Sequence, residues 1–245
     1  MLNAYIFKSN IWGESLKIDV VIPTRSRNRI RSELLKALSN NFFVNKIIIT
    51  EEKPLSIARK NACLKASTEW VAMFDDDVII PQNYFQEILK HINDDVGAIS
   101  SVAEPVDPHL RAYQTVISKF FPLQKIDTAP HINNVLIRKN VMKNYNPPPL
   151  FLSEDLFLRE HVESLGYKWK VIGNIGVIHV GKRKSGVDIG AAYRRYAHYN
   201  LYQLSRRFLA RLIFAPFAVF FSRKLTTAFI LWKENVEFFA GWLKG

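Results

Sequence analysis

The chain has 245 residues, 48% of them hydrophobic and 23% charged, and carries a formal net charge of +12. That length supports one large domain, or a domain with an appendage, and gives a core that needs no covalent staples. A single cysteine, Cys63, excludes an internal disulfide framework and points to a reducing compartment, where the thiol reads as a small buried hydrophobe.

Met1 to Lys8 has no basic start leading into a long apolar run, and the reading is that no signal peptide is present. From about residue 17 to residue 103 the pattern alternates strand and helix. Ile18 to Ile22 is a short β-branched run broken by Pro23, as a buried strand would be. Ile30 to Leu38 has helical character, and Lys46 to Thr50 reads as a second strand. Ser56 is the expected N-cap of a helix reaching about Lys65. Trp70 to Phe74 is a third strand and ends in Asp75, Asp76 and Asp77. Pro81 suits the first turn of a helix whose apolar stripe is Tyr84, Phe85, Ile88, Leu89 and Ile92. Gly97 to Ala103 is a fourth strand. Strands separated by helices predict a mostly parallel α/β sheet covered on both faces.

Glu104 to Pro130 yields no clear pattern. Asn133 to Arg138 reads as a further strand, and Pro147 to Pro149 as a loop. Ser153 is the expected cap of a helix bearing Leu158, Val162 and Leu165, stopped at Gly166. Val171 to Val180 is strand-like, with interruptions at Gly173 and Gly176. No internal repeat or low-complexity tract is present.

From about Tyr193 the character changes, which divides the chain into an α/β part over 1–192 and a basic, apolar helical part over 193–245. Lys182 to Lys224 holds ten basic side chains against Asp188 alone, so +9 of the +12 lies there. Such a concentration predicts an anionic partner. Phe208 to Phe221 is almost wholly apolar, broken by Arg211 and Pro216; Leu225 to Trp232 is apolar again, and Phe238, Phe239, Trp242 and Leu243 follow. None of these runs reaches the roughly 20 residues a spanning helix needs. Helices lying in a membrane interface with basic flanks fit the pattern, and a helical appendage packed on protein is the alternative.

Three aspartates directly after a buried strand are the sharpest local signal. In an open α/β sheet ligands bind beyond the carboxyl ends of the strands, where Asp75 to Asp77 must lie. Adjacent carboxylates repel unless a cation neutralises them, and hard oxygen ligands suit Mg²⁺ or Mn²⁺ bound with substrate phosphates. Glu154 and Asp155 open a later helix, where backbone N–H groups favour an ionised carboxylate that can serve as a base. His179 ends the last strand-like run ahead of Gly181, Lys182, Arg183 and Lys184, a candidate ligand beside a basic loop suited to neutralising a leaving diphosphate.

Together these segments resemble the family 2 glycosyltransferases of the GT-A fold. The resemblance rests on Val20 to Thr24, Ser56 to Asn61, Trp70 to Pro81, Asn133 to Arg138, Ser153 to Leu158, and Gly176 to Gly181 with His179, in that order over about two-thirds of the chain. It implies a metal-dependent, inverting transfer from a nucleotide-diphosphate sugar, guanosine- or uridine-linked. Asp75 and Asp77 match the family's Asp-x-Asp pair and, with His179, would hold Mn²⁺ or Mg²⁺. Asp155 matches the catalytic base. Pro23, Thr24, Arg25, Arg59, Asp76, Asn133 and Glu154 fall on the donor side. Lys182, Arg183 or Arg195 would neutralise the departing diphosphate. The chain departs from the usual pattern at Arg25-Ser26-Arg27-Asn28 and at Thr50-Glu51-Glu52-Lys53-Pro54, which leaves Glu51 as the candidate for the nucleotide base.

The apolar C-terminus resembles that of members acting on lipid-linked acceptors. An envelope glycan or lipid-linked acceptor, and a place on the cytoplasmic side of the cell membrane, are therefore expected. A nucleotidyltransferase is the rival enzyme, but Pro23 to Arg31 holds no glycine for a phosphate loop. A nucleic-acid-binding protein is the non-catalytic rival, with Tyr193, Tyr196, Tyr199 and Tyr202 interleaved among arginines. Their spacing of three marks a helical face, and no nucleic acid partner is expected.

Overall fold

Residues 18–23 and 44–50, apolar and β-branched, lie side by side as the first two strands of one seven-stranded sheet in the computed structural model, which describes residues 16–120, 131–151, 154–181, 185–196 and 200–245. In chain order the elements are β1 (Ile18–Pro23), α1 (Ser32–Ser39), β2 (Val44–Thr50), α2 (Leu55–Leu64), β3 (Trp70–Phe74), β4 (Val78–Ile79), α3 (Tyr84–Leu89) and β5 (Val96–Pro105). There follow α4 (Pro108–Phe120), β6 (Asn134–Arg138), α5 (Lys139–Lys143), α6 (Glu154–Ser164), β7 (Lys168–His179), α7 (Gly186–Tyr196), α8 (Leu201–Ser222) and α9 (Thr226–Lys244).

The strand order is β2-β1-β3-β6-β5-β7-β4. β1 pairs in parallel with β2 and β3, and β5 with β7. β6 is antiparallel to both β3 and β5, and β4 to β7. Five strands therefore share one direction, while β4 and β6 oppose it. The expected mostly parallel sheet is a mixed one, because β6 enters between β3 and β5 from the opposite end. That reversal decides where the site lies. The carboxyl ends of β1, β3 and β7 and the amino end of β6 meet at one edge, and that edge carries Thr24, Asp75, His179 and Asn133.

Alternation along the strands divides the core between two faces. Val20, Ile22, Ala72 and Phe74 point to the side covered by Leu34 and Leu38 of α1 and by Tyr84, Phe85 and Ile88 of α3. Val21, Val71 and Met73 point to the other, against Ala62 and Cys63 of α2, Val141 and Met142 of α5, and Leu158 and Val162 of α6. Burial pushes the Cys63 thiol up to about 12, only partly offset by the nearby Arg59, so it is an inert core group.

Several expectations are corrected. Ser56 is not a cap: Pro54 precedes the helix, and the Ser56 hydroxyl donates to the Pro148 carbonyl at 2.7 Å and accepts from the Leu150 N–H at 2.9 Å. It thus ties the proline loop to α2. Pro81 stands ahead of α3, its carbonyl accepting the Tyr84 N–H. The unreadable stretch after Glu104 contains α4, capped by Asp107, which accepts the N–H groups of His109 and Leu110. β7 is one long strand whose register against β5 jumps from Ser101↔Ile172 to Val102↔Gly176, so the break read at the glycines is a bulge. Gly166, at φ +82, ends the α6 turn as expected. Ser153 lies outside the described residues.

The last three helices and α4 form a separate layer. Ala112 and Val116 of α4 meet Ala215 and Ala218 of α8 and Leu231 of α9. Gly190 and Gly241 let α7 and α9 touch backbone to backbone: a side chain at Gly190 would run into the Phe238 carbonyl, and one at Gly241 into that of Val187. Among the described residues, no helix is long and apolar enough to cross a membrane.

Far from the carboxyl edge, Asp19 is fully buried at the start of β1. It accepts from the Ser67 N–H, from the Ser67 hydroxyl at 2.8 Å and from Asn45 at 2.7 Å, with Lys46 at 3.6 Å. Burial alone would raise its pKa, but these donors and the lysine hold it below the ordinary value. A folded-state pKa below the unfolded one means stability present at neutral pH and lost as pH falls below about 4. We predict that Asp19→Ala loses about 3 kcal/mol at pH 7 by urea denaturation. The difference from the parent should shrink at pH 3; a pH-independent difference would contradict this.

Candidate active site

The edge that collects the strand ends also collects the acids. Asp75 follows β3 directly, and its N–H donates to the Asn133 carbonyl at 3.1 Å, which fixes the turn against the start of β6. Asp77 and His179 are joined through the β4–β7 pairing, in which Val78 faces His179 and the Val180 N–H donates to the Asp77 carbonyl at 2.8 Å. His179 Nε2 stands 3.1 Å from Asp77 Oδ1. One ligand atom each from Asp75, Asp77 and His179 lies within 4.8 Å of the others, and all three side chains are partly exposed. Two hard carboxylate oxygens and an imidazole nitrogen at that spacing form a site for a divalent ion such as Mn²⁺ or Mg²⁺. Gly181 completes the cradle: a side chain there would collide with Asp77 Oδ2 and press on His179 Nε2 at 3.0 Å.

Arg59 carries this site across to the second acidic pair. Its guanidinium, 1% exposed, donates to Asp75 and to the Ile132 carbonyl at 3.1 Å and lies 3.6 Å from Glu154. Burial works against its charge, but Asp75 and Glu154 outweigh it and hold the group protonated. The resemblance places Arg59 on the donor side. It is a buried brace between two carboxylates, reaching from the buried Glu154 to the partly exposed Asp75. Glu154, buried at the first residue of α6, brings Asp155 with it, whose Oδ1 accepts from the Leu156 N–H at 3.1 Å. Burial raises the Tyr145 phenol, and the charges of Glu154 and Asp155 raise it further against the pull of Arg59.

Asp76 turns the other way. It accepts from the Thr24 hydroxyl at 2.5 Å, has Arg29 at 3.8 Å, and its carbonyl accepts the Arg31 N–H at 3.0 Å. Burial first, then Asp77 and Asp75, push its carboxyl up against the pull of Thr24 and Arg29. Asp76 is thus a lock between the loops after β1 and β3. Pro23 and Thr24 end β1 beside Thr50, with the Thr24 N–H donating to the Thr50 carbonyl at 2.9 Å. Glu51 accepts the Arg27 N–H at 3.0 Å, and Arg25 is exposed on the same rim.

Arg195 lies exposed in the last turn of α7 and makes no ion pair among the described residues. Lys182 and Arg183 lie outside the described residues. Sequence reading missed Arg29 and Asn134. Asn134 is fully buried, accepts from the Ser101 N–H at 2.7 Å and hydroxyl at 3.0 Å, and offers its carbonyl to the Tyr84 hydroxyl at 2.8 Å. An amide inside an otherwise apolar strand was the available signal. A cavity of about 460 Å³ opens at the amino ends of β5 and β7, around Val96 and Lys168, away from all of these acids.

A search of curated proteins gives no match. Among solved structures, the mannosyltransferase PcManGT from Pyrobaculum calidifontis, in complex with GDP-Man and Mn²⁺, superimposes with a TM-score of 0.57 at 14% identity, over 93% of this chain and 86% of that one. Glucosyl-3-phosphoglycerate synthase from Mycobacterium tuberculosis, in complex with Mn²⁺, UDP-glucose and phosphoglyceric acid, gives 0.53 at 14% identity, over 78% and 80%. At such identities the likeness establishes the fold, a GT-A-type mixed sheet flanked by helices. Residues 20–145, just over half of the chain, match the family model described as glycosyl transferase family 2. That span contains the ends of β1 and β3, the Asp75–Asp77 turn and Arg59, and the chain belongs to glycosyl transferase family 2.

Proposed function

We propose that the enzyme transfers a sugar, with inversion, from a guanosine- or uridine-diphosphate donor to an acceptor that is lipid-linked or part of an envelope glycan. The observation that carries this reading is Arg59 joined to both Asp75 and Glu154, which sets the start of α6 beside the metal-ligand group. Mn²⁺ or Mg²⁺ bound by Asp75, Asp77 and His179 would neutralise the donor diphosphate as it leaves. Thr24, Pro23 and Glu51 would line the nucleoside side of the cleft, with Asp76 holding their loop in place. Asp155 would take the proton of an acceptor hydroxyl as its oxygen bonds to the anomeric carbon and the bond to the diphosphate oxygen breaks on the opposite face. It stands in the first turn of α6, where the helix dipole favours a carboxylate. Lys182, Arg183 and Arg195 are the cations proposed to meet the leaving diphosphate.

Residues 1–192 would be the catalytic part and 193–245 the membrane-facing part, with α7 joining them. Leu209, Ile213, Phe217 and Phe220 on α8 are exposed, as are Phe229, Val236 and Leu243 on α9, and Arg223, Lys224 and the exposed Leu225 sit at the tip between the helices. An apolar stripe with a cationic tip suits the interface of an anionic membrane, on the cytoplasmic side. Replacing Phe220 and Phe229 together by glutamate should weaken binding to phosphatidylglycerol vesicles at least about a hundredfold in a sedimentation assay. Unchanged binding would remove the membrane from the account.

The donor is tested by incubating the protein with a panel of nucleotide-sugars, with Mn²⁺ and with chelator, and measuring nucleoside diphosphate release. Release from one guanosine or uridine donor, dependent on Mn²⁺, is the expected result. Pyrophosphate release from a nucleoside triphosphate and a sugar phosphate would instead indicate a nucleotidyltransferase.

A further inference from the structure

A second cavity, of about 330 Å³, shares a wall with the metal-ligand group. His179 and Gly181 line it on that side, and Leu110, Ile189, Arg207, Arg211, Glu234 and Phe238 are among the residues that line the rest. It lies between the end of β7 and the helical layer of α4, α7, α8 and α9, so the C-terminal helices build a chamber against the reacting edge.

The two arginines of this chamber are not equally paired. Arg211 is matched by Glu234 at 3.3 Å and stacks over Tyr113. Asp107, which also lines the cavity, accepts two N–H groups at the start of α4. Arg207 has no carboxylate partner among the described residues. Its guanidinium lies 4.0 Å from the centre of the Phe238 ring and 5.6 Å from that of Tyr193, and its Nε is buried with no hydrogen-bond partner. A guanidinium lodged against two aromatic rings, with an unused donor on a residue that lines an open cavity, is preorganised for an anion with several oxygens. Leaving a donor of a charged group buried and unmatched is costly, and a ligand that accepts from it recovers that cost.

We infer that this cavity is the acceptor subsite and that it takes the phosphate group of an anionic acceptor, with Arg207 as the residue that binds it. The inference rests on the glycosyltransferase reading for the word acceptor, but the phosphate site is testable apart from transfer. A soluble phosphate ester and a lipid headgroup would present the same chemistry to Arg207.

Two phosphate probes separate the sources: glycerol 3-phosphate in solution, with glycerol as control, and phosphatidylcholine vesicles containing phosphatidic acid, with phosphatidylglycerol at equal surface charge as control. Binding of each is measured on the full chain, alongside Mn²⁺-dependent binding of GDP and UDP in the same preparations. Arg207→Gln should weaken the phosphate probe that fits by about tenfold or more, the worth of one or two charge-assisted hydrogen bonds. Nucleotide binding should be unchanged. Leu110→Trp, which narrows the cavity without altering charge, should weaken the same probe and covers the case in which loss of the Arg207 stack unfolds the helical layer. Dependence on Arg207 with glycerol 3-phosphate identifies a soluble acceptor; dependence only with phosphatidic acid identifies a lipid one. If neither probe distinguishes the parent from both variants while nucleotide binding persists, the subsite is wrong and the glycosyltransferase reading stands. If Mn²⁺-dependent nucleotide binding is absent from the parent, that reading fails on its own.

Discussion

Asp77→Ala is expected to lower Mn²⁺-dependent sugar transfer by about a thousandfold or more, with little change in folding. Asp77 supplies one of three ligand atoms within 4.8 Å, and its partner His179 stands 3.1 Å away. Removing it leaves two ligands and an imidazole no longer held by a carboxylate. A metal that neutralises a leaving diphosphate contributes several kcal/mol to the barrier, and about 4 kcal/mol corresponds to that factor. The side chain is a third exposed, so no buried charge is orphaned by its loss. The check is initial velocity across a Mn²⁺ titration, with circular dichroism confirming the fold. A variant whose rate recovers fully at high Mn²⁺ would show that Asp77 sets affinity alone; parental activity at low Mn²⁺ would exclude it as a ligand.

The second large effect is on stability. Arg59→Met should destabilise the protein by about 3–5 kcal/mol, because it leaves Asp75 and Glu154 without the cation that binds both. For a chain of this size that corresponds to a melting temperature lower by on the order of 10 °C. Mn²⁺ should restore part of the loss in the variant, since an ion beside Asp75 replaces some of the missing charge. Arg59→Lys should fall between the two, keeping the charge but not the fork that reaches Asp75, Glu154 and the Ile132 carbonyl together. Thermal melts with and without Mn²⁺ decide this. A variant melting within 2 °C of the parent on the order of experimental scatter would mean that Arg59 does not brace the cleft.

How far the sequence could be read depended on how local each signal was. β1, β2 and β3 are apolar runs with breakers at their ends, and each is a strand. Asp75 to Asp77 follows a buried strand, and a strand end in an α/β sheet is where ligands bind, so the acidic turn could be placed without coordinates. The reversal of β6 could not. Val135, Leu136 and Ile137 are equally apolar in either direction, and only the pairing of Phe74 with Asn134 shows which end meets the aspartates. Ser56 looked like a helix cap because serine commonly is one, but its hydroxyl serves a proline loop 92 residues away. Arg59 falls on the donor side by resemblance alone. Its burial depends on Glu154, which no window around residue 59 contains. Arg207 belonged to a basic stretch that read as uniform, and the pairing of Arg211 with Glu234 is what singles it out.

Asp155→Asn, assayed for Mn²⁺-dependent nucleotide binding and for sugar transfer in the same preparation, bears most directly on the whole account. If the group at Asp75, Asp77 and His179 grips the donor while Asp155 serves the acceptor, the variant should bind nucleotide as the parent does and transfer sugar about a thousandfold more slowly. Parental transfer rates with nucleotide binding intact would show that Asp155 takes no part in the chemistry.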